Sequence, residues 1–207
     1  MPEIVYVLTN EAMEGMVKIG RTTTSVEQRI RELDNTSLPL PFQCFYAAEV
    51  TNSSLVEGKL HRIFSDKRIR TNREFFRVDA NQVREAIQLA ELKEVTPKVD
   101  VVVDVSDVQA LQKAVATEER RSRLRFTELG IPAGAVLSFA KDPQITCVVV
   151  ADGKVEYQGQ TLSPSAAALL AVKSLGYNWA AVSGSDYWEL DGETLTARRL
   201  RLEDEQS

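Results

Sequence analysis

The feature that most constrains this chain is the succession of short β-type runs and amphipathic helices between Ile4 and Leu92. "EIVYVLT" reads as a strand and "MVKIG" as its hairpin partner, with "NEAMEG" as the turn between them. Thr24-Ser25-Val26-Glu27 reads as a capping box, after which Val26, Ile30 and Leu33 recur at helical spacing. "QCFYAAEV" is a third strand. Ser54-Leu55-Val56-Glu57 reads as a second capping box, opening a helix with Val56, Leu60, Ile63 and Phe64 inward. "EFFRV" is a short extended piece. Asp79 to Gln82 opens a third helix that buries Val83, Ala86, Ile87 and Ala90. The fold class is α/β (α+β), and residues 1–94 form a small domain with a three-stranded antiparallel sheet flanked by helices.

The 207 residues, 43% of them hydrophobic, suffice for one sizeable core or two small ones. The character changes at 95–125. "KEVTPKVDVVVDVSDV" is a strand or an extended linker. "SDVQALQKAVATEERRSRLR" reads as a helix capped by Ser106 or Asp107 and ending in Arg120, Arg121, Arg123 and Arg125. Residues 126–202 read as a second small α+β domain of β-hairpins and one helix. "GAVLSFA", "ITCVVVA" and "KVEYQG" are its first strands, with Asp152-Gly153 as a two-residue hairpin turn. "SPSAAALLAVKSLG" is the helix, with Pro164 in its first turn and Gly176 at its end. "NWAAV" and "DYWELDGETL" read as one or two closing strands, and 203–207 as a frayed tail.

Charge and cysteine usage narrow the function classes. Cys44 and Cys147 each sit in an apolar strand-like run, which is the pattern of buried reduced thiols rather than of a disulfide framework or a metal site. No apolar run approaches membrane-spanning length, and the N-terminus lacks a signal-peptide pattern, so the expectation is a cytoplasmic protein with no membrane partner. Net charge is −5, with a pI near 5.1. The charge is uneven, however: Lys59, Arg62, Lys67, Arg68, Arg70, Arg73 and Arg77 stand against Asp66 and Glu74, a local balance of +5. Local patches, not net charge, steer phosphate binding, so nucleic acid is the expected partner.

Five pieces then occur in a telling order. Tyr6 lies on the first strand and Lys18-Ile19-Gly20-Arg21-Thr22 on the second. Arg29 to Leu33 follows, then Glu57 to Phe64 with His61, then Glu74-Phe75-Phe76. In this order and spacing the stretch from 3 to 80 resembles the GIY-YIG endonuclease family, and within it the phage- and prophage-associated subgroup with "KIG" in place of the tyrosine-containing motif. The family's first motif begins with glycine where this chain has Ile4, and its second has tyrosine where this chain has Lys18.

The resemblance implies hydrolysis of phosphodiester bonds in DNA, a reaction that needs an activated water and neutralised phosphoryl charge. It implies Tyr6, Lys18, Arg21, Arg29, Glu57 and His61 as catalytic candidates. Glu57 would be the metal ligand for Mg²⁺ (or Mn²⁺), which keeps waters and shares substrate oxygens. Arg29 supplies a planar charged fork for the phosphate. Tyr6 orients or activates the attacking water, with Lys18 and Arg21 as cations that would make its phenol more acidic. Lys59, Arg62, Lys67, Arg68, Arg70, Asn72 and Arg73 are the candidates for gripping nucleic acid, and Glu74 is a further candidate for the site. Structure alone offers rival explanations. Glu57 is also the acidic member of a capping box, Tyr6 suits a half-buried strand position, and His61 can simply pair with Glu57 one helical turn away.

In the second half, Ser163-Pro164-Ser165-Ala166-Ala167-Ala168, followed by Asn178-Trp179, is similar to the small domain appended to restriction enzymes and adenine methylases, often called RAMA. That resemblance implies DNA targeting, with Ser163, Ser165, Asn178 and Trp179 as residues to test, and a role in restriction or phage defence. A plain capped alanine-rich helix packed on a hairpin accounts for the same residues. Two other readings of the whole chain stay open: a nucleic-acid-binding protein without catalysis, and an assembly or sensor subunit that forms a homodimer through the helix from Ser106 to Arg123.

Overall fold

The hairpin between Ile4 and Thr22 becomes the centre of an antiparallel sheet. The structure, a computed structural model, describes residues 1–34, 38–101, 105–122 and 125–205, with the side chains of 105, 106, 116 and 118–122 outside the description. The expected positions Arg120, Arg121 and Arg123 and the Ser106 cap therefore lie outside the described side chains. Contacts divide the chain into two units, Met1–Asp107 and Val108–Ser207.

In the first unit β1 (Ile4–Thr9) pairs with β2 (Val17–Thr22) and with β3 (Gln43–Val50). These are the three expected strands. Two short strands extend them outward, β4 (Phe75–Phe76) on β2 and β5 (Glu91–Glu94) on β3, giving the order β4-β2-β1-β3-β5 with all pairs antiparallel. Both additions are too short to carry a periodic signal, and pairing with a longer neighbour is what makes them strands. The segment after β5 stays with this unit: Val95 N donates to the Ala47 carbonyl, and Ala47 N donates to Thr96 Oγ1 (3.1 Å).

Helices cover both sheet faces. α1 (Val26–Leu33) lays Val26 and Ile30 on Ile4, Tyr6 and Leu8, with Phe42, Cys44 and Ala47 completing that core. The alternate residues Val5 and Val7 face the other way, where α3 (Ala80–Gln88) packs on β1 and β3 with Val83 and Ile87 buried. α2 (Ser53–Ile63) packs on β2.

Both expected capping boxes move. α1 is capped by Ser25, whose hydroxyl accepts from Gln28 N, one residue later than expected. α2 is capped by Asn52, whose Oδ1 accepts from Leu55 N (2.9 Å), a contact worth about 1 kcal/mol. The face that packs on the sheet also differs from the expected one: Leu60 is buried, Val56 and Phe64 are half-buried, and Ile63 is 61% exposed rather than inward. A 3-10 turn, Ser65–Lys67, follows.

The second unit begins within α4 (Val105–Ser122), where Leu111 and Val115 are buried. Its sheet comprises β6 (Val136–Phe139), β7 (Asp142–Ala151), β8 (Lys154–Tyr157), β9 (Gln160–Leu162), β10 (Trp188–Leu190) and β11 (Glu193–Thr194), in the order β11-β10-β6-β7-β8-β9. Besides the expected turn at Asp152-Gly153, tight turns at Gln158-Gly159 and Asp191-Gly192 place both residues at positive φ, the geometry that matches strand twist. The expected helix is α5 (Pro164–Ser174), capped by Ser163 and followed by Gly176 at φ +83.

Residues 178–182, expected as a strand, bury Trp179, Ala181 and Val182 without forming one. Two further helices complete the unit, the short α6 (Gly184–Tyr187) and α7 (Leu195–Glu205). α7 has few apolar residues and is held by ion pairs instead: Arg198 and Arg201 both reach Glu193, and the Thr194 hydroxyl accepts from Ala197 N. Cys44 and Cys147 are buried free thiols, and burial pushes Cys147 up to about 12. Among the described residues, no helix is long and apolar enough to cross a membrane.

Candidate active site

Residues that face each other in an antiparallel sheet share a face, and the register therefore aligns Tyr6 with Gly20 and Ala47. Tyr6, 1% exposed, is flanked by the two smallest side chains the sheet can offer. Its ring lies directly over Gly20: a Cβ there would sit 2.6 Å from Tyr6 Oη and 2.8 Å from Cζ. The glycine of "KIG" is required by this close approach, not by its own backbone angles.

Arg29 reaches Tyr6 from α1. Its Nε donates to Tyr6 Oη (3.3 Å), and its Nη1 pairs with Glu32 (3.0 Å). Burial pushes the Tyr6 phenol above its ordinary pKa, and Glu74 and Glu57 add to that, while Arg29 pulls the other way. This corrects the expectation of a phenol made acidic by Lys18 and Arg21. Both cations are committed to carboxylates, and the phenol keeps its proton at neutral pH.

Glu57 projects from the second turn of α2. With Asn52 as cap it belongs to no capping box, so the capping explanation for a carboxylate there falls away. Arg21 Nε lies 3.2 Å from Glu57 Oε2. Burial first, then the nearby Glu74 carboxylate, push the Glu57 pKa up, against the pull of His61, Arg21 and Lys18. α2 itself is anchored from far along the chain: Glu3 Oε2 accepts from Ser53 N (2.7 Å) and from the Ser53 hydroxyl.

His61 makes a backbone contact that its spacing on the helix does not announce. Its Nε2 is 3.0 Å from the Ile19 carbonyl oxygen. A carbonyl only accepts, so Nε2 carries hydrogen and donates. The ring lies 5.1 Å from that of Phe76. His61 thus ties α2 to β2 one helical turn beyond Glu57.

The basic stretch is a looped hairpin. Arg68 bridges to Phe76, Ile69 N donates to Phe75 O, and Arg73 N donates to Arg70 O at the tip. Lys59, Arg62, Lys67, Arg70, Asn72 and Arg73 are exposed. Arg68 departs from the expected phosphate grip: its Nε donates to Arg73 O (2.6 Å), and its guanidinium lies 5.4 Å from the Phe76 ring centroid. It holds the loop together.

At the base of this hairpin, Glu74 O accepts from Ile19 N (3.1 Å), and the Glu74 carboxylate is bonded to Lys18 Nζ. Glu74, a lesser candidate on sequence, makes more contacts with β2 than its spacing suggests. The available signal was an acid inside a basic run, immediately before the paired aromatics of β4.

The groups come from both sheet faces. β4 covers β2 only at Val17 and Lys18, so no strand among the described residues lines the outer edge of β2 from Gly20 onward. Tyr6, Lys18 and Arg29 belong to the α1 face, and Arg21 and Glu57 to the α2 face. The carboxylates act on Tyr6 across that edge, and Glu74 and Lys18 act on Glu57. Among the described residues, no group of three or more His, Cys, Asp or Glu could hold a metal. A structural zinc does not fit. The single half-buried Glu57 carboxylate is the group that could hold a magnesium ion, which would keep its waters and take substrate oxygens.

In the second unit the four residues singled out for DNA targeting divide differently. The Ser163 hydroxyl caps α5, accepting from Ala166 N (3.2 Å). The Ser165 hydroxyl accepts from Gly184 N (3.0 Å), where α5 and α6 approach so closely that a Cβ on Gly184 would meet backbone at 2.4 Å. Trp179 is buried against Tyr177 and Tyr187. Asn178 alone is exposed.

Residues 3–91 match the T5orf172 domain. This is a phage-associated domain of the GIY-YIG-like, nuclease-related group, and its span takes in β1 to β4 with Tyr6, Lys18, Arg21, Arg29, Glu57, His61 and Glu74, but none of the second unit. No curated protein and no solved structure matches the chain.

Proposed function

We propose that the T5orf172 domain of this chain is a Mg²⁺-dependent endonuclease that hydrolyses phosphodiester bonds in DNA, with a role in restriction or phage defence. The observation that carries the reading is the Arg29–Tyr6 hydrogen bond over Gly20, with Glu57 on the other sheet face close enough for its charge to act on the Tyr6 phenol, beside an exposed basic hairpin.

Glu57 would hold the ion, whose contribution when bound is charge neutralisation at the phosphate and a more acidic water. Arg21 keeps the Glu57 carboxylate aimed while the site is empty of substrate. Arg29 is partly exposed, and its Glu32 partner exchanges for a phosphate oxygen as substrate arrives. Tyr6 accepts from Arg29, which leaves its own hydroxyl hydrogen free to orient the attacking water. That water's oxygen bonds to phosphorus as the ester P–O bond breaks, and the proton the water gives up passes through solvent to the leaving oxygen. Lys59, Arg62, Arg70 and Arg73 give sequence-independent grip on the backbone.

The test is cleavage of labelled single- and double-stranded DNA with Mg²⁺, Mn²⁺ or EDTA, with binding followed in the same samples. Metal-dependent cutting lost in Glu57→Ala, with binding kept, is the expected result. Binding without cutting on every substrate would instead make the chain a non-catalytic DNA-binding protein that uses the same basic surface.

A further inference from the structure

Lys18 stands where the resembled family has a tyrosine, and the fold spends a buried ion pair on it. The side chain is only 6% exposed, and an ammonium taken so far out of water is costly unless it is paired. Its partner is Glu74, from the base of the basic hairpin. Burial pushes the Glu74 carboxyl up, yet the bond to Lys18 and the Lys18 charge outweigh it and hold the group below its ordinary range.

The geometry around the pair is fixed on three sides. Ile19 N holds the Glu74 carbonyl, Phe75 pairs with Lys18 in the β2–β4 register, and the Phe75 ring lies 5.8 Å from the Lys18 ammonium. Lys18 is two residues from Gly20 on the same sheet face, and its partner Glu74 is close enough to Tyr6 for its charge to act on the phenol. A lysine stem has four flexible carbons, and with no carboxylate to aim at its ammonium would turn toward water.

We propose that Glu74 is a positioning residue: it holds the Lys18 ammonium beside the Tyr6–Gly20 contact, where Lys18 meets the substrate phosphate in the place of the absent tyrosine. The inference rests on the nuclease reading. Glu74 belongs to the hairpin whose tip exposes Arg70 and Arg73, so one element both grips the backbone of the nucleic acid and sets the lysine. A bare salt bridge for stability would not need its acid half-exposed at the mouth of a site.

The test uses the full chain in single-turnover cleavage with Mg²⁺, comparing wild type, Glu74→Gln, Glu74→Asp, Lys18→Met and the Glu74→Gln/Lys18→Met double variant. Glu74→Gln and Lys18→Met are each expected to lower kcat by about 10- to 100-fold, the size of a misplaced catalytic group, with little change in KM. The double variant should fall no lower than Lys18→Met, because the two act as one unit. Glu74→Asp, which keeps the charge, should retain more activity than Glu74→Gln. Full kcat in Glu74→Gln, or losses that multiply in the double variant, overturns this inference alone. A wild type that cuts nothing overturns it together with the nuclease reading.

Discussion

Gly20→Ala is the most exacting test of how the site is built. The added Cβ would stand 2.6 Å from Tyr6 Oη, whereas ordinary contact begins at 3.4 Å, so the phenol must retreat by about 0.8 Å. A hydroxyl at the end of a mobile side chain would yield at little cost. Tyr6 cannot, because its ring is packed with Ile4, Leu8, Val26, Ile30, Phe42 and Ala47, and Arg29 holds its oxygen. Overpacking of this kind costs about 1–3 kcal/mol. The same movement opens the 3.3 Å Arg29 contact past hydrogen-bonding range, and a shift approaching 1 Å in a catalytic group costs roughly 100-fold in rate. The measurements are thermal unfolding of the first unit, followed by hydrogen exchange on β1 and β2, and cleavage under single-turnover conditions. Removing the hydroxyl as well, in Gly20→Ala/Tyr6→Phe, should recover only part of the stability, since Cζ and Cε2 would still lie 2.8 Å from the new methyl. A Gly20→Ala protein with unchanged stability and unchanged cleavage would refute the reasoning.

Three other outcomes follow from single contacts. His61→Ala should lower kcat by loosening α2 from Ile19, yet leave the midpoint of the Mg²⁺ titration unchanged; a large shift in that midpoint would make His61 a metal ligand after all. Arg70→Ala or Arg73→Ala should reduce the slope of log K against log salt by about 1 each, whereas Arg68→Ala should act mainly on the melting of the hairpin. Asp186 lies in the second unit, where burial pushes its carboxyl up to about 6 even though it accepts a hydrogen bond from Thr196 (2.6 Å). The folded state holds that proton more tightly than the unfolded chain, so its contribution is complete below about pH 4 and is lost as pH rises through about 6. Asp186→Asn, whose Oδ1 still accepts from Thr196, should stabilise the protein by about 2–3 kcal/mol at pH 7 and by nothing at pH 4, read by urea unfolding at the two pH values.

Local chemistry was enough to place the central hairpin, the three helices of the first unit, the Asp152-Gly153 turn and the capped α5. Each is specified by residues within one or two turns of each other, and so is legible along the chain. The motif residues were legible for the same reason, since Tyr6, Lys18, Arg29, Glu57 and His61 lie at spacings set by individual strands and helices. What each of them does was decided at longer range. Asn52 and Ser54 are both able to cap α2, and nothing local chooses between them. Glu3, fifty residues earlier, takes the Ser53 N–H and hydroxyl, and the helix starts after Asn52. That start frees Glu57 from a capping role, while the docking of α2 on β2 leaves Ile63 outward.

The pairing of Lys18 with Glu74, across a separation of 56 residues, depends on a two-residue edge strand that exists only because β2 is there to bond it. His61 finds the Ile19 carbonyl for the same reason: it is the peptide that α2 happens to cross. The Tyr6 phenol keeps its proton because the fold buries it and commits the nearby cations to carboxylates, neither of which a list of neighbouring charges can express. The sequence alone determined which side chains are available and on which elements they ride. Only the tertiary structure decided which of them meet, because burial and pairing depend on distance in space, and that distance is set by strand register and helix packing rather than by position along the chain.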